Sequence, residues 1–192
     1  SGLEAARSAG FDPSQGALKL NAVIQKGRND DQLIPLARLA RDRGVELRLI
    51  EYMDVGSRNG WSLNQVMPAL EMVQRVASHW PLDPVGRSSS STTSRWQYRD
   101  GAGHLGVIAS ISAPFCGDCN RIRVTADGQI FTCLFASQGA DLRPYLRASE
   151  PEAQLRERLS DLWTRRSDRF SEERRLRGDV DKPHAEMAYL GG

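Results

Sequence analysis

The stretch Phe115-Cys116-Gly117-Asp118-Cys119-Asn120-Arg121-Ile122-Arg123, running on through Asp127-Gly128 to Cys133, restricts this chain more than any other. It holds all three cysteines of the 192 residues. Cys116 and Cys119 form a C-x-x-C pair, and Cys133 follows after thirteen intervening residues. Such a pair can direct two sulfurs at one metal ion or one iron–sulfur cluster, and a third sulfur can return on a neighbouring strand. With no fourth cysteine, a four-iron cluster held here keeps one iron open to another ligand.

Residues 121–125 alternate polar and apolar, Asp127-Gly128 is a turn signal, and residues 129–133 return. Residues two apart on a strand share a face, so Cys119, Arg121 and Arg123 tend to one side. A two-residue loop would pair Val124 with Phe131 and Ile122 with Cys133, aiming Cys133 away from the arginines. A three-residue loop, Ala126-Asp127-Gly128, with Gly128 left-handed in a bulge, pairs Thr125 with Gln129, Arg123 with Phe131 and Arg121 with Cys133. We expect the second register, because it gathers sulfurs and guanidiniums on one face. Three chemistries then compete: a structural zinc with His104 as fourth ligand, free or redox-active thiols, and a three-cysteine iron–sulfur site beside an anion-binding arginine pair. Guanidinium forks match phosphate geometry, which structural zinc does not call for.

Composition narrows the classes. Hydrophobic residues make up 40% and charged residues 26%, with net charge +2. That balance does not point to a strongly basic nucleic-acid binder. An odd number of cysteines fits poorly with a closed disulfide framework, so a reducing cytoplasm is the expected compartment. Nothing reads as a signal peptide, and no run approaches the length of a spanning helix. The chain opens on Ser1-Gly2 rather than Met, which reads as a cut point or a tag remnant.

The remainder predicts an α/β chain. Residues 3–9 are helix-prone up to Gly10. Residues 18–23 read as a strand. Asn29-Asp30-Asp31 are placed to cap a helix carrying Leu33, Leu36, Ala37 and Ala40, which Gly44 ends. Residues 45–52 form the next strand, giving a βαβ unit. Ser62 and Gln65 suggest a capping box, and Leu70, Val73, Val76 and Ala77 a helix to about Ser78. Residues 81–94, with Pro81, Pro84 and a serine-rich run, read as a linker or exposed loop. A second domain then begins near Arg95, with short antiparallel strands at 96–99, 105–111 and in the cysteine hairpin. A short helix from Asp141 to Leu146 follows. Ser149-Glu150-Pro151-Glu152 suggests a capping box before a buried stripe of Leu155, Leu159, Leu162 and Trp163. On chemistry alone, Lys19 is a surface charge, Arg48 pairs with Glu46 or Glu51, and Met53 is apolar filling. Arg165-Arg166 and Arg174-Arg175 read as solvated charges, and Gly191-Gly192 as a frayed terminus.

In order along the chain, Leu18-Lys19-Leu20-Asn21-Ala22-Val23, Arg28-Asn29-Asp30-Asp31, Leu47-Arg48-Leu49-Ile50-Glu51-Tyr52-Met53, the stretch 115–135, Asp141-Leu142-Arg143-Pro144-Tyr145-Leu146-Arg147 and the final Gly191-Gly192 resemble the later half of one family. It is the radical S-adenosylmethionine GTP 3′,8-cyclases of molybdenum cofactor biosynthesis, the MoaA family. The resemblance covers nearly the whole chain and is weakest at about 81–95. It implies the C-terminal portion of an incomplete (β/α)6 TIM-like barrel over residues 1–80. A Ser/Thr-rich linker at 81–94 and a small α+β iron–sulfur and GTP-binding domain at 95–192 would follow.

By the same resemblance, Cys116, Cys119 and Cys133 hold a 4Fe–4S cluster whose open iron meets the guanine edge. Arg121 and Arg123 support catalysis, and Gly191 and Gly192 form a tail reaching the active site. Lys19 and Arg48 hold the GTP triphosphate, while Asn21 and Met53 lie at S-adenosylmethionine. The reaction implied converts GTP to 3′,8-cyclo-7,8-dihydroguanosine triphosphate, after a 5′-deoxyadenosyl radical takes hydrogen from ribose C3′. The family's C-x-x-x-C-x-x-C motif, which holds a second 4Fe–4S cluster, is not among these residues. The chain is therefore expected to be inactive alone and to need the missing N-terminal half or a complementary chain. A homodimer is implied; nucleic acid and membrane are not. The competing expectation is a zinc-stabilised nucleotide- or protein-binding module.

Overall fold

A computed structural model describes residues 2–56, 58–147, 151–177 and 184–190. It divides into two compact units, Ser1–Met53 with Ser62–Phe115, and Asp54–Trp61 with Cys116–Gly192.

In the first unit, helix α1 (Gly2–Ser8) precedes β1 (Lys19–Ile24), which turns Leu20, Ala22 and Ile24 to one side, as a period of two requires. The chain returns through α2 (Leu33–Asp42) to β2 (Glu46–Glu51), which lies parallel to β1 with Lys19 opposite Glu46 and Asn21 opposite Arg48. Gly44 ends α2 with φ +62°, a conformation costly to any residue with a Cβ. The expected βαβ unit is therefore present. Helix α3 (Ala69–Ala77) follows, with Pro68 as its N-cap. The core joins Leu33, Ala37 and Ala40 of α2 and Met72, Val73 and Val76 of α3 to Ile24, Leu47 and Leu49 of the strands. Each fully buried leucine there contributes about 1.5–3 kcal/mol.

Three local expectations are corrected. Asn29 and Asp30 do not cap α2. Asn29 accepts from the Gln25 N–H at 2.8 Å and donates to the Val23 carbonyl at 2.9 Å, while Asp30 accepts from the Gly27 N–H at 2.7 Å. They tie the turn after β1, which offers unpaired backbone groups closer than the helix does. Ser62 makes no cap bond either and donates instead to Asn64 at 2.7 Å. The segment read as a linker carries β3 (Leu82–Gly86), antiparallel to β4 (Ser94–Tyr98).

The domain boundary moves for the same reason. β4 and β5 (His104–Ile108) were expected in the second domain, yet β5 runs parallel to β2, with Arg48 opposite Gly106. Among the described residues the first sheet has the order β1-β2-β5-β4-β3, and the unit boundary falls between Phe115 and Cys116. Its edges, β1 and β3, do not meet, so this mixed sheet is not a closed barrel. The whole is a mixed α/β fold with two sheets and several helices.

The second unit holds β6 (Arg123–Val124), β7 (Gln129–Phe131) and β8 (Ala140–Asp141), in that order and antiparallel. Helices α4 (Arg143–Leu146), α5 (Pro151–Thr164) and α6 (Phe170–Arg177) follow. Val55, Ile130, Phe131, Phe135, Leu142 and Leu190 are its buried apolar residues among those described. The Asp141 carboxylate accepts from the Arg143 backbone N–H at 2.9 Å, starting α4. The capping box at 149–152 lies outside the described residues. The stripe on α5 is less covered than expected: Leu155, Leu159 and Leu162 are half-buried and Trp163 is exposed.

Candidate functional site

The polar face of the first sheet is set by alternation. The face away from α2 and α3 carries Lys19, Asn21, Glu46, Arg48 and Arg95. Arg48 Nε donates to Glu46 Oε1 at 2.7 Å, so the ion-pair expectation for Arg48 holds, with Glu46 as partner. Glu46 is shared, because Arg95 Nη2 lies 3.0 Å from its other oxygen. Lys19 is exposed, opposite Glu46. Three cations thus face one carboxylate, and the face stays net positive. Gly106 makes room for this: a Cβ there would stand 3.1 Å from Arg48 Cγ and 2.6 Å from Thr93 Cγ2. Arg95 was not singled out in the sequence, although alternation in Ser94-Arg95-Trp96-Gln97-Tyr98 separates it from Trp96 and Tyr98.

Glu51 lies on the opposite face from Arg48 and cannot be its partner. It is fully buried, at 0% exposure. Its carboxylate accepts from the backbone N–H of Ala69 at 2.7 Å, Ile111 at 2.6 Å and Ser112 at 2.9 Å, and from the Ser112 hydroxyl. A buried carboxylate so saturated fastens the start of α3 and the chain after β5 to the end of β2. Met53, two residues further on, is half-buried.

In the second unit the hairpin register is the one expected. Arg123 is opposite Phe131, Val124 is opposite Ile130, and the Thr125 N–H donates to the Gln129 carbonyl at 2.9 Å. Gly128 takes φ +82°, the left-handed position of a three-residue loop. Exposure along this hairpin is reversed. Ile122 and Val124 are 39% and 57% exposed, while Arg121 and Arg123 are half-buried on the alternate side. Arg121 Nη2 donates to Cys119 Sγ at 3.3 Å.

Charge interactions link Arg123 to Cys119 and Cys133, and Cys133 to Cys116. Burial, then the Arg121 charge, hold Arg123 below the usual guanidinium range, and charge on Cys119 and Cys133 opposes that fall. Burial would raise Cys119, but the Arg121 backbone N–H and guanidinium, with the Arg166 charge, leave it lowered. Burial pushes Cys133 up; the Phe135 backbone N–H opposes this, and charges on Asp168 and Cys116 add to it. All three cysteines are free and half-buried.

Arg166 and Arg174 are corrections to the solvated-charge reading. Arg166 donates to the Cys119 carbonyl and stacks over Trp163, 5.0 Å from its centroid. Arg174 pairs with Asp54 and lies over Trp61, Phe135 and Phe170. Trp163 and Phe170 stand at helical spacing from them, but the polar partners, Cys119 and Asp54, are 47 and 120 positions away, beyond any local pattern. Gly191 and Gly192 lie outside the described residues.

The family described as Molybdenum Cofactor Synthesis C matches residues 45–172. The chain belongs to that family. A GTP 3′,8-cyclase of Synechococcus sp. (strain CC9902) is 86% identical over 191 residues, covering the whole chain and 55% of that protein. One from Parasynechococcus marenigrum (strain WH8102) is 66% identical and one from Xanthomonas axonopodis pv. citri (strain 306) 44%, again across the whole chain and 54% and 55% of those proteins. The chain thus spans about half the length of these relatives.

For a member of the Molybdenum Cofactor Synthesis C family, the donors fit an iron–sulfur cluster in kind: three free thiols, with the Arg121 guanidinium on Cys119. Among the described residues, no three His, Cys, Asp or Glu side chains close up into a single-ion site. His104, the zinc ligand considered above, is exposed at the start of β5 in the first unit. Among the described residues, no helix is long and apolar enough to cross a membrane.

Proposed function

We propose that this chain supplies the later part of a GTP 3′,8-cyclase, with Cys116, Cys119 and Cys133 holding a 4Fe–4S cluster and Arg121 and Arg123 receiving guanine nucleotide beside it. The observation that carries this reading is the reversed exposure of residues 121–124. A hairpin serving stability alone would bury Ile122 and Val124 and leave the arginines in water. Desolvating two neighbouring guanidiniums is unfavourable unless an anionic occupant offsets it. A thiolate-bound cluster and a nucleotide are such occupants. The relatives' name, GTP 3′,8-cyclase, supports GTP as the nucleotide.

When bound, the cluster supplies an iron with an open position for the guanine edge. The chain's own residues do the rest. Arg121, donating to Cys119 Sγ, orients that sulfur. Arg123, crowded by Arg121, gains most from an added negative charge. The net-positive face of Lys19 and Arg48, joined by Arg95, suits a triphosphate. Asn21 and Met53 take S-adenosylmethionine, and Gly191 and Gly192 form a tail that supports catalysis. The purpose of such holding is orientation, since a small misplacement forfeits much of an intramolecular advantage.

S-adenosylmethionine cleavage needs a second cluster, and these 192 residues contain no C-x-x-x-C-x-x-C motif to hold one. We expect cytoplasmic residence, a homodimer, and no 5′-deoxyadenosine formation by this chain without the complementary residues. The test is anaerobic reconstitution with iron and sulfide, followed by GTP titration under electron paramagnetic resonance. The expected result is about four irons and four sulfides per chain and a spectrum altered by GTP. Arg121→Ala and Arg123→Ala should each weaken nucleotide binding about tenfold or more. One zinc with no sulfide, or unchanged affinity in both variants, would overturn the reading.

A further inference from the structure

We infer that residues 166–172, leading from α5 into α6, form a clamp that holds the cysteine hairpin in its ligating shape, with Arg166 and Asp168 as its positioning residues. The inference rests on the cluster reading above.

The hairpin needs such a device. Its ladder consists of β6, Arg123–Val124, against β7, Gln129–Phe131. The bulged loop at Gly128 closes one end. The other end, beyond which Cys119 and Cys133 lie in sequence, has no described strand pairing to close it. A ladder this short cannot set the separation of two sulfurs beyond its end.

The segment 166–172 closes that open end at three points. Arg166 Nη1 donates to the Cys119 carbonyl, and its side chain is only 11% exposed. Asp168 Oδ2 accepts from Thr132 Oγ1 at 2.5 Å, and Thr132 adjoins Cys133. The two sides are joined, because Arg166 Nε and Asp168 Oδ2 lie 3.6 Å apart as an ion pair. The path from the Cys119 carbonyl through Arg166 and Asp168 to Thr132 thus spans the mouth of the hairpin. Glu172 adds the third point. Its Oε1 accepts from the Gly117 N–H at 3.1 Å, between Cys116 and Cys119, while Arg169 Nε holds its Oε2 at 2.5 Å.

Each tie reaches a cysteine or an immediate neighbour, and each uses a charged group whose geometry is set by its own partner. Trp163 supports the Arg166 guanidinium from one face. This is what outer partners do at metal centres: they orient ligands without touching the metal.

The experiment compares the 192-residue chain with Arg166→Ala, Arg166→Lys, Asp168→Asn and Glu172→Gln. Two quantities are read. One is the rate of iron release to a chelator after anaerobic reconstitution. The other is the rate at which Cys119 and Cys133 are alkylated in the metal-free chain, resolved by mass spectrometry. Far-ultraviolet circular dichroism checks folding. We expect Arg166→Ala and Asp168→Asn to speed iron release about tenfold or more, the usual size of an outer-partner loss, with partial rescue in Arg166→Lys. Alkylation of both cysteines should speed up in the same order, with Glu172→Gln the mildest. Folded variants with parental rates in both assays would overturn the clamp. If Arg166→Ala does not fold, the near-isosteric Asp168→Asn decides. If the parent chain takes up no iron and sulfide, the cluster reading fails separately, and the clamp stands or falls on alkylation alone.

Discussion

In the first unit, alternating strands turn Leu47, Leu49, Leu105 and Val107 onto α2 and α3 and leave charged residues on the far side. In the second, the same alternation is turned round: Arg121 and Arg123 go inward while Ile122 and Val124 face water. The first arrangement is favourable by itself, through apolar burial. The second places desolvated cations next to thiols and is held by particular polar ties, among them Arg166 to Cys119, Thr132 to Asp168 and Tyr189 to Asp127 at 2.9 Å. An ordinary core makes a scaffold, whereas the inverted strand sets half-buried guanidiniums beside cysteine sulfur.

The largest effect that would break this contrast lies in the cores. Leu49→Ala should destabilise the chain by about 2–5 kcal/mol, while Val124→Ala should cost under about 0.5 kcal/mol. Equilibrium urea unfolding measures both, and equal costs would abolish the distinction. Next is Glu51→Gln, which faces an amide N–H₂ toward backbone donors now shared between two carboxylate oxygens. A loss of about 1–3 kcal/mol is expected, with the amides of Ala69, Ile111 and Ser112 exchanging hydrogen faster.

Arg123→Leu sharpens the contrast further. Removing a desolvated guanidinium should leave the metal-free chain as stable or about 1 kcal/mol more stable, while nucleotide affinity falls about tenfold. Loss of stability with unchanged affinity would make Arg123 structural. The smallest effect concerns pH. The Arg143 side chain and backbone N–H hold the Asp141 carboxyl at about 2. Its folded value is depressed, so its stabilising contribution is present above about 4, near the unfolded value, and is lost as pH falls through about 2. Carboxyl carbon NMR should show that midpoint, and Arg143→Ala should return it toward the ordinary range.

Much of the hairpin was legible because its determinants are local. Asp127-Gly128 and the need to bring Cys133 beside the arginines picked the three-residue loop, and Gly128 at φ +82° realises it. The strand lengths were overstated, since Arg121 and Cys133 lie beyond the described ladder. Arg95 carried a faint signal in its strand's alternation, and Arg166 carried none, because its partner at Cys119 lies 47 positions away.

From residue order alone came the βαβ beginning, the glycine that stops α2, the hairpin register and the cysteine–arginine constellation. These follow from side-chain periodicity and from backbone angles open to glycine, both properties of a few adjacent residues. Packing alone revealed that β5 lies against β2, that Glu51 fastens three segments and that a distant helix junction spans the hairpin mouth. Such pairings depend on which remote segment arrives with a matching donor or acceptor, and short-range periodicity does not encode that choice.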